Sequence, residues 1–400
     1  MRRRAAVVVA CLAVSALNLA GCSSSDSGAR TIEVDYNFDD FAGSFLSYFP
    51  RSVTVRPGMT LKFHQTWTGA PHSVTFGSAL DEKIKPVLEL LQHTPNGERV
   101  RNTPTEFDAG FFSTQLPTFF RANRQIGQDA AQPCFVKSID ELPLDHSACA
   151  KADQVQPEFD GTHAYYSSGL IRPEGKGANS FDMKVADDAR PGTYFYYCNL
   201  HGLTMSGFVN VSKTAKVPSQ REINEIGREE AKTIAAPLLA EYRKERAGTS
   251  VYHGNLAGSG DPSTQGVAAE INEFTPHTIN AVVGERVTWT FVGNHTISFN
   301  VPAFTPLFRR KADGEIVATE GLDKPAGGWP GVPPGHKGYP AVSSESVALD
   351  AGTFDGSGGL KSSGIGFNTG DTFGVTFIKR GTYPYACLIH PGMIGKVVVS

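Results

Sequence analysis

Histidine is scattered through this chain of 400 residues: eleven in all, and nowhere do two stand one position apart. A metal cluster built on His-x-His pairs therefore has nothing to rest on. Charge of one sign is also lacking, with 37 Lys and Arg against 40 Asp and Glu, which excludes a nucleic-acid binder that works by basic excess. The apolar run Ala5 to Leu19 falls short of the roughly 20 residues that a bilayer-spanning helix needs. Cysteine is limited to six residues, without the paired spacing of structural zinc sites. Turn formers are plentiful by contrast. The 42 Gly and 25 Pro, with 40% hydrophobic residues, point to an all-β chain with sizeable cores, and the length points to two domains.

The N-terminus reads as an export signal, Met1-Arg-Arg-Arg4 followed by the short apolar run. It ends in Leu19-Ala20-Gly21-Cys22, which resembles the lipobox of bacterial lipoproteins. That resemblance implies a signal peptide over 1–21, lipid on Cys22, a tether over 22–30, and a mature protein on the outer face of the cytoplasmic membrane or in the periplasm. The general and the twin-arginine export routes both remain open. Loss of 1–21 removes three Arg and no acid, leaving 34 basic and 40 acidic residues, a net charge of −6. Cys11 leaves with the signal, and Cys198 and Cys387 belong to the motifs below. Cys134 and Cys149 are left over, and in an oxidising compartment a disulfide between them is expected.

A long-period duplication runs through the rest. Arg51 to Phe63, turning at Pro57-Gly58, and then Ala70-Pro71-His72-Ser-Val-Thr-Phe76 read as strand, turn, strand, His, strand. His277 to Phe291, turning at Gly284, and then Gly293-Asn294-His295-Thr-Ile-Ser-Phe299 repeat that order. Ser167-Ser168-Gly169 parallels Ser362-Ser363-Gly364, and Arg190-Pro-Gly192-Thr-Tyr parallels Arg380-Gly381-Thr-Tyr. The domains are expected at 31–214, with an insertion over about 78–165, and at 250–400, with an insertion over about 301–361. Leu80 to Gln92 would be helical but for Pro86. The insertions are expected to cover the domains, with docking as the second reading. Between the halves, residues 215–249 read as a linker helix. It opens on Ser219-Gln-Arg-Glu222, carries Ile223, Ile226, Ile234, Leu238 and Tyr242 on one face, and should kink or split at Pro237.

Each half ends on the same loop. Cys198-Asn-Leu-His201-Gly-Leu-Thr-Met205-Ser-Gly207 and Cys387-Leu-Ile-His390-Pro-Gly-Met393-Ile-Gly395 both run Cys, His, Met, Gly and then strand. A thiolate, an imidazole and a thioether from one tight loop, joined by a further His, favour mononuclear copper of the electron-transfer type. On these residues both halves resemble cupredoxins, the blue-copper fold of plastocyanin, amicyanin and azurin. The resemblance implies two Greek-key β-sandwich domains and two type 1 copper sites. Their ligands would be His72, Cys198, His201 and Met205 in the first and His295, Cys387, His390 and Met393 in the second, with His201 and His390 as electron ports. Ser73 and Thr296 stand where many members carry Asn after the first His. The other histidines read as surface or loop residues.

Copper enzymes of related architecture differ at identifiable positions. Multicopper oxidases need His-x-His pairs, and copper nitrite reductases place a His just before the Cys, where Tyr197 and Ala386 stand here. The expectation is a tethered one-electron carrier, not an enzyme, serving unidentified redox partner proteins. The alternatives are a copper-binding or delivery protein and, behind it, an oxidoreductase of the two types named.

Overall fold

Alternating burial sets the architecture. In Arg286–Phe291 the side chains of Val287, Trp289 and Phe291 are buried and the residues between them face outward, and Thr60–Gln65 does the same with Leu61, Phe63 and Gln65. A period of two puts one face of each strand into a core. The computed structural model describes residues 28–98, 131–138, 140, 156–171, 179–247, 254–259, 269–332, 336, 338, 345–366 and 370–400.

Two β-sandwiches result. In the first, one sheet runs β3 (Tyr48–Phe49), β1 (Ala29–Val34), β5 (Thr60–Gln65), β9 (Ser180–Lys184). The facing sheet runs β4 (Ser52–Val55), β11 (Gly202–Val211), β10 (Gly192–Cys198), β6 (Ser73–Phe76), β8 (Tyr165–Leu170), β7 (Cys134–Val136). In the second, one sheet runs β19 (Ala348–Phe354), β21 (Thr372–Phe377), β15 (Arg286–Phe291), β12 (Gly254–Ser259), β13 (Ala269–Thr275), β2 (Gly43–Phe45). Its partner sheet runs β14 (Thr278–Ala281), β23 (Ile394–Val399), β22 (Gly381–Ala386), β16 (Ser298–Phe299), β20 (Lys361–Ser362).

The sequence duplication is also a duplication of pairings. The parallel pair β1–β5 corresponds to β12–β15, the parallel pair β4–β11 to β14–β23, and the hairpin β10–β11 to β22–β23. One core gathers Tyr48, Phe63, Phe76, Tyr196 and Val209; the other gathers Trp289, Phe299, Phe373, Tyr385 and Val397.

Several features depart from expectation. The helix α1 (Ser78–His93) runs through Pro86 without a break, and the linker helix α2 (Gln220–Ala247) is not split at Pro237. Proline in a helix interior costs on the order of 3 kcal/mol, and burial offsets it in α2, where Ala231, Ile234, Ala235, Leu238 and Tyr242 lie fully packed against Phe41, Phe45, Phe49 and Ile271. Ile226, expected on that apolar face, is instead 48% exposed. Ser219 and Glu222 form the reciprocal cap: Glu222 N–H donates to Ser219 Oγ (3.3 Å), and Ser219 N–H donates to Glu222 Oε2 (2.7 Å). Among the described residues no helix is long and apolar enough to cross a membrane.

The two sandwiches are joined by more than α2. Strand β2, from within the first half, pairs antiparallel with β13 and extends the second domain's sheet. The second insertion sends the hairpin β17 (Phe308–Arg310) and β18 (Ile316–Ala318) back onto the first domain. There Gln132 Nε2 donates to the Ile316 carbonyl (2.6 Å), Ile316 N–H donates to Gln132 Oε1 (3.1 Å), and Ile316 packs on Ala131 and Leu170.

Candidate metal centres

Each hairpin that closes a sandwich delivers two donors at its turn. β10 ends on Cys198 and β11 starts one residue after His201, with a register shift between Tyr197 and Cys198. β22 ends one residue before Cys387, and β23 begins one residue after Met393. The neighbouring strand brings the first His: His72 directly precedes β6, and His295 forms a bridge to Gly366 just before β16.

In the first centre His72 Nδ1 lies 3.2 Å from His201 Nδ1, and Cys198 Sγ lies 3.4 Å from the same His201 nitrogen. In the second the corresponding distances are 3.1 Å between His295 and His390 and 3.4 Å from Cys387 to His390. The three donor atoms of each cluster fall within 4.8 Å of one another. Met205 and Met393 are fully buried in the same cores as Cys198 and Cys387. The structure thus gathers the first His, the Cys and the loop His at each centre, and buries each methionine in the same core as its cysteine.

The repeated motif has supports that the spacing alone did not explain. Ser73 N–H donates to Cys198 Sγ and Thr296 N–H to Cys387 Sγ, both at 3.4 Å. The hydroxyl of Ser73 accepts from Asn199 N–H, and that of Thr296 from Leu388 N–H, both at 2.8 Å. At the usual Asn position, then, a hydroxyl clamps the His strand to the residue after the Cys. The Ser-Ser-Gly repeats buttress this from behind, with Ser168 Oγ accepting from Val74 N–H (2.8 Å) and Ser363 Oγ from Ile297 N–H (2.9 Å). The Gly two residues after each Met is explained by its cross-strand partner. A Cβ at Gly207 would lie 2.5 Å from the Tyr196 ring, and one at Gly395 would lie 2.6 Å from the Tyr385 ring, so a Tyr before each Cys folds over a bare backbone.

The centres differ behind the first His. His72 Nε2 lies 3.1 Å from Asp35 Oδ2, both residues fully buried. Asp35 also accepts from Tyr36 N–H and Phe45 N–H, each at 2.6 Å, and from the Thr68 hydroxyl. His295 Nε2 instead donates to the Val292 carbonyl (3.1 Å). In both cases the outer nitrogen is held by an acceptor, which fixes Nδ1 as the ring nitrogen that faces the other donors.

Protonation of the metal-free centres diverges accordingly. Burial alone would lower His72, but its hydrogen bonds to Asp35 and Cys198 reverse the sign and raise it to about 9. Burial would raise the Cys198 thiol, yet His201 and His72 bring it well below its usual range. In the second centre burial lowers His295 to about 4 against the Val292 hydrogen bond. Burial, then the neighbouring His295, depresses His390 as well, while burial raises Cys387. One cysteine sulfur and two imidazoles gathered in a buried site, with a methionine in the same core, fit copper.

Asp35 had no signal in the sequence. It is 37 positions from His72 and outside the motifs of the repeat. Elsewhere, His163, expected at the surface, is 8% exposed and lies 3.1 Å from Asp160, and His64 sits on β5 with its Nδ1 2.7 Å from Glu33. Cys134 is buried in β7; Cys149, the signal peptide and Cys22 lie outside the described residues.

No protein-family model matches the sequence, and no curated protein sequence does. Solved structures with similarity include a purple cupredoxin from Nitrosopumilus maritimus (19% identity, 37% of this chain and 98% of that one, TM-score 0.18). Auracyanin from Roseiflexus castenholzii matches at 15% identity over 46% of this chain and 98% of its own, TM-score 0.21. Plastocyanin from Dryopteris crassirhizoma matches at 17% over 46% and 99%, TM-score 0.18. Each covers less than half of this chain. Two β-sandwiches, each with one His beside an inner strand and Cys, His and Met on the closing hairpin of the same sheet, have the arrangement of cupredoxin domains.

Proposed function

We propose that the protein is a one-electron carrier with two mononuclear type 1 copper centres, one per domain, working outside the cytoplasm. The observation that carries this reading is the pair of Cys–His–His clusters, in which five of the six residues are buried and each Cys sulfur accepts a backbone N–H. Such sites admit electrons more readily than substrates, and a scaffold that fixes the donors leaves little to rearrange when the oxidation state changes. The same burial weighs against metal delivery, which needs a ligand that can swing to a recipient. An oxidoreductase of the types named would need a further metal cluster, and the described residues show these two alone.

In this reading residues 1–21 are cleaved, lipid on Cys22 tethers the protein, Cys134 and Cys149 form a disulfide, and the redox partners are other proteins. Copper loading tests the core of it. The expected result is two coppers per chain, an intense thiolate-to-copper visible band with narrow EPR coupling, and fast reversible uptake of one electron per centre. A single copper per chain, or a spectrum unchanged by Cys387→Ala, overturns it; slow or irreversible reduction favours storage.

A further inference from the structure

Each ligand loop is covered by the other domain. The β17–β18 hairpin of the second domain packs into the cluster that includes Leu200, the residue before His201. In return, the Thr68–Gly69 turn of the first domain lies on Ile389 and His390. Gly69 has φ +94, and a Cβ there would stand 1.7 Å from the Ile389 carbonyl oxygen and 2.9 Å from His390 Cδ2. Only glycine permits both that conformation and that approach. His390, the expected port of the second centre, is consequently 3% exposed, whereas His201 is half-buried.

The turn that touches His390 also leads to the other ligand set. Gly69 precedes His72 by three residues, and Thr68 donates its hydroxyl to Asp35, whose Oδ2 lies 3.1 Å from His72 Nε2. Between the His390 ring and the His72 ring there is thus a single non-bonded contact, followed by a short backbone run or by two hydrogen bonds.

We propose, resting on the two-copper reading, that the Thr68–Gly69 turn is the electronic contact between the two centres, so that the second centre exchanges electrons through the first and not directly with solvent. One electron leaves the reduced first centre, which becomes oxidised, and enters the oxidised second centre, which becomes reduced; no proton and no other reactant takes part. The buried Asp35 carboxylate favours the more positive state of the first centre and so sets the direction toward the second.

Flash reduction of the fully loaded, full-length chain with less than one electron per molecule tests this, with freeze-quenched EPR resolving the two centres. The expected result is an equilibration between centres whose rate does not change with protein concentration and falls at least tenfold in Gly69→Val, with two coppers and both visible bands retained. A rate proportional to concentration, or one unaltered by Gly69→Val, overturns the proposal. Should Gly69→Val not fold, the concentration dependence of the unmodified chain decides. Failure of the two-copper reading would show earlier, as a missing copper or a missing band.

Discussion

The two centres share donors, distances and supports to within about 0.1 Å, yet a single group behind one histidine makes them chemically unequal. Where Val292 offers a carbonyl to His295, Asp35 offers a carboxylate to His72. Without metal, the surroundings of the first centre favour the charged forms of Cys198 and His72, and those of the second favour the neutral forms of Cys387 and His295. Duplication copied the donor set, and the partner of one outer nitrogen then differentiated the copies.

The substitution that most directly erases this difference is Asp35→Asn. It places an amide N–H₂ against the His72 N–H and the Thr68 hydroxyl, both donors. We expect a loss of about 3 kcal/mol in chemical denaturation, because buried donors are left facing a donor. In the copper-loaded protein the first centre's potential should rise by roughly 60 mV or more, a tenfold shift in its redox equilibrium, while the second stays put; equal shifts in both would break the comparison.

Metal-free protein should show opposite pH slopes from the two centres. His72 is raised to about 9, so the stability it contributes is fully present below about 6.5 and is lost as pH rises through 9, about 3 kcal/mol in all. His295 is lowered to about 4, so it is neutral and harmless above about 6.5. Its desolvation destabilises the fold as pH falls toward 4, again by about 3 kcal/mol. His72→Ala should flatten only the upper window and His295→Ala only the lower, in denaturation midpoints measured against pH. Copper uptake displaces a proton at each centre, from His72 at the first and from the Cys387 thiol at the second, so it weakens at both as pH falls.

Gly207→Ala and Gly395→Ala compare the two Tyr–Gly pairs. A methyl at residue 207 would meet the Arg51 carbonyl at 2.6 Å as well as the Tyr196 ring, whereas at 395 the three nearest atoms all belong to the Tyr385 side chain. Thermal unfolding should show a cost of about 3 kcal/mol at 207 and about 1 kcal/mol at 395, since a ring can tilt and a backbone carbonyl cannot. The smallest effect is expected from Ser73→Ala and Thr296→Val. Each removes one acceptor from the N–H after the Cys and should cost about 1 kcal/mol, equally in the two domains.

The loop ligands were legible because Cys, His and Met sit within eight residues of each other, and His72 and His295 became legible through their shared place in the repeat. The fold class was readable from the alternation that places Leu61 and Phe63 on one face and from its counterpart in Val287, Trp289 and Phe291. What escaped reading depends on contacts between distant segments. Asp35 reaches His72 only because β1 lies beside β5, and nothing in a polar turn at residues 68 and 69 announces that it lies on His390. Helix continuity through Pro86 and Pro237 was hidden for a similar reason, since the propensity of the residue is local and the burial that overrides it in α2 is not.

Strand β2 has a consequence for anyone who would take the molecule apart. The residues that edge the second domain's sheet are Gly43, Ser44 and Phe45, and Phe45 is also a donor to Asp35. A cut anywhere in α2 would hand the C-terminal fragment an orphaned flank at β13, free to zip onto another molecule, and would leave the N-terminal fragment with a tongue of aromatic residues that has lost its seat. The chain is best regarded as one interlocked body that happens to contain two copies of a design.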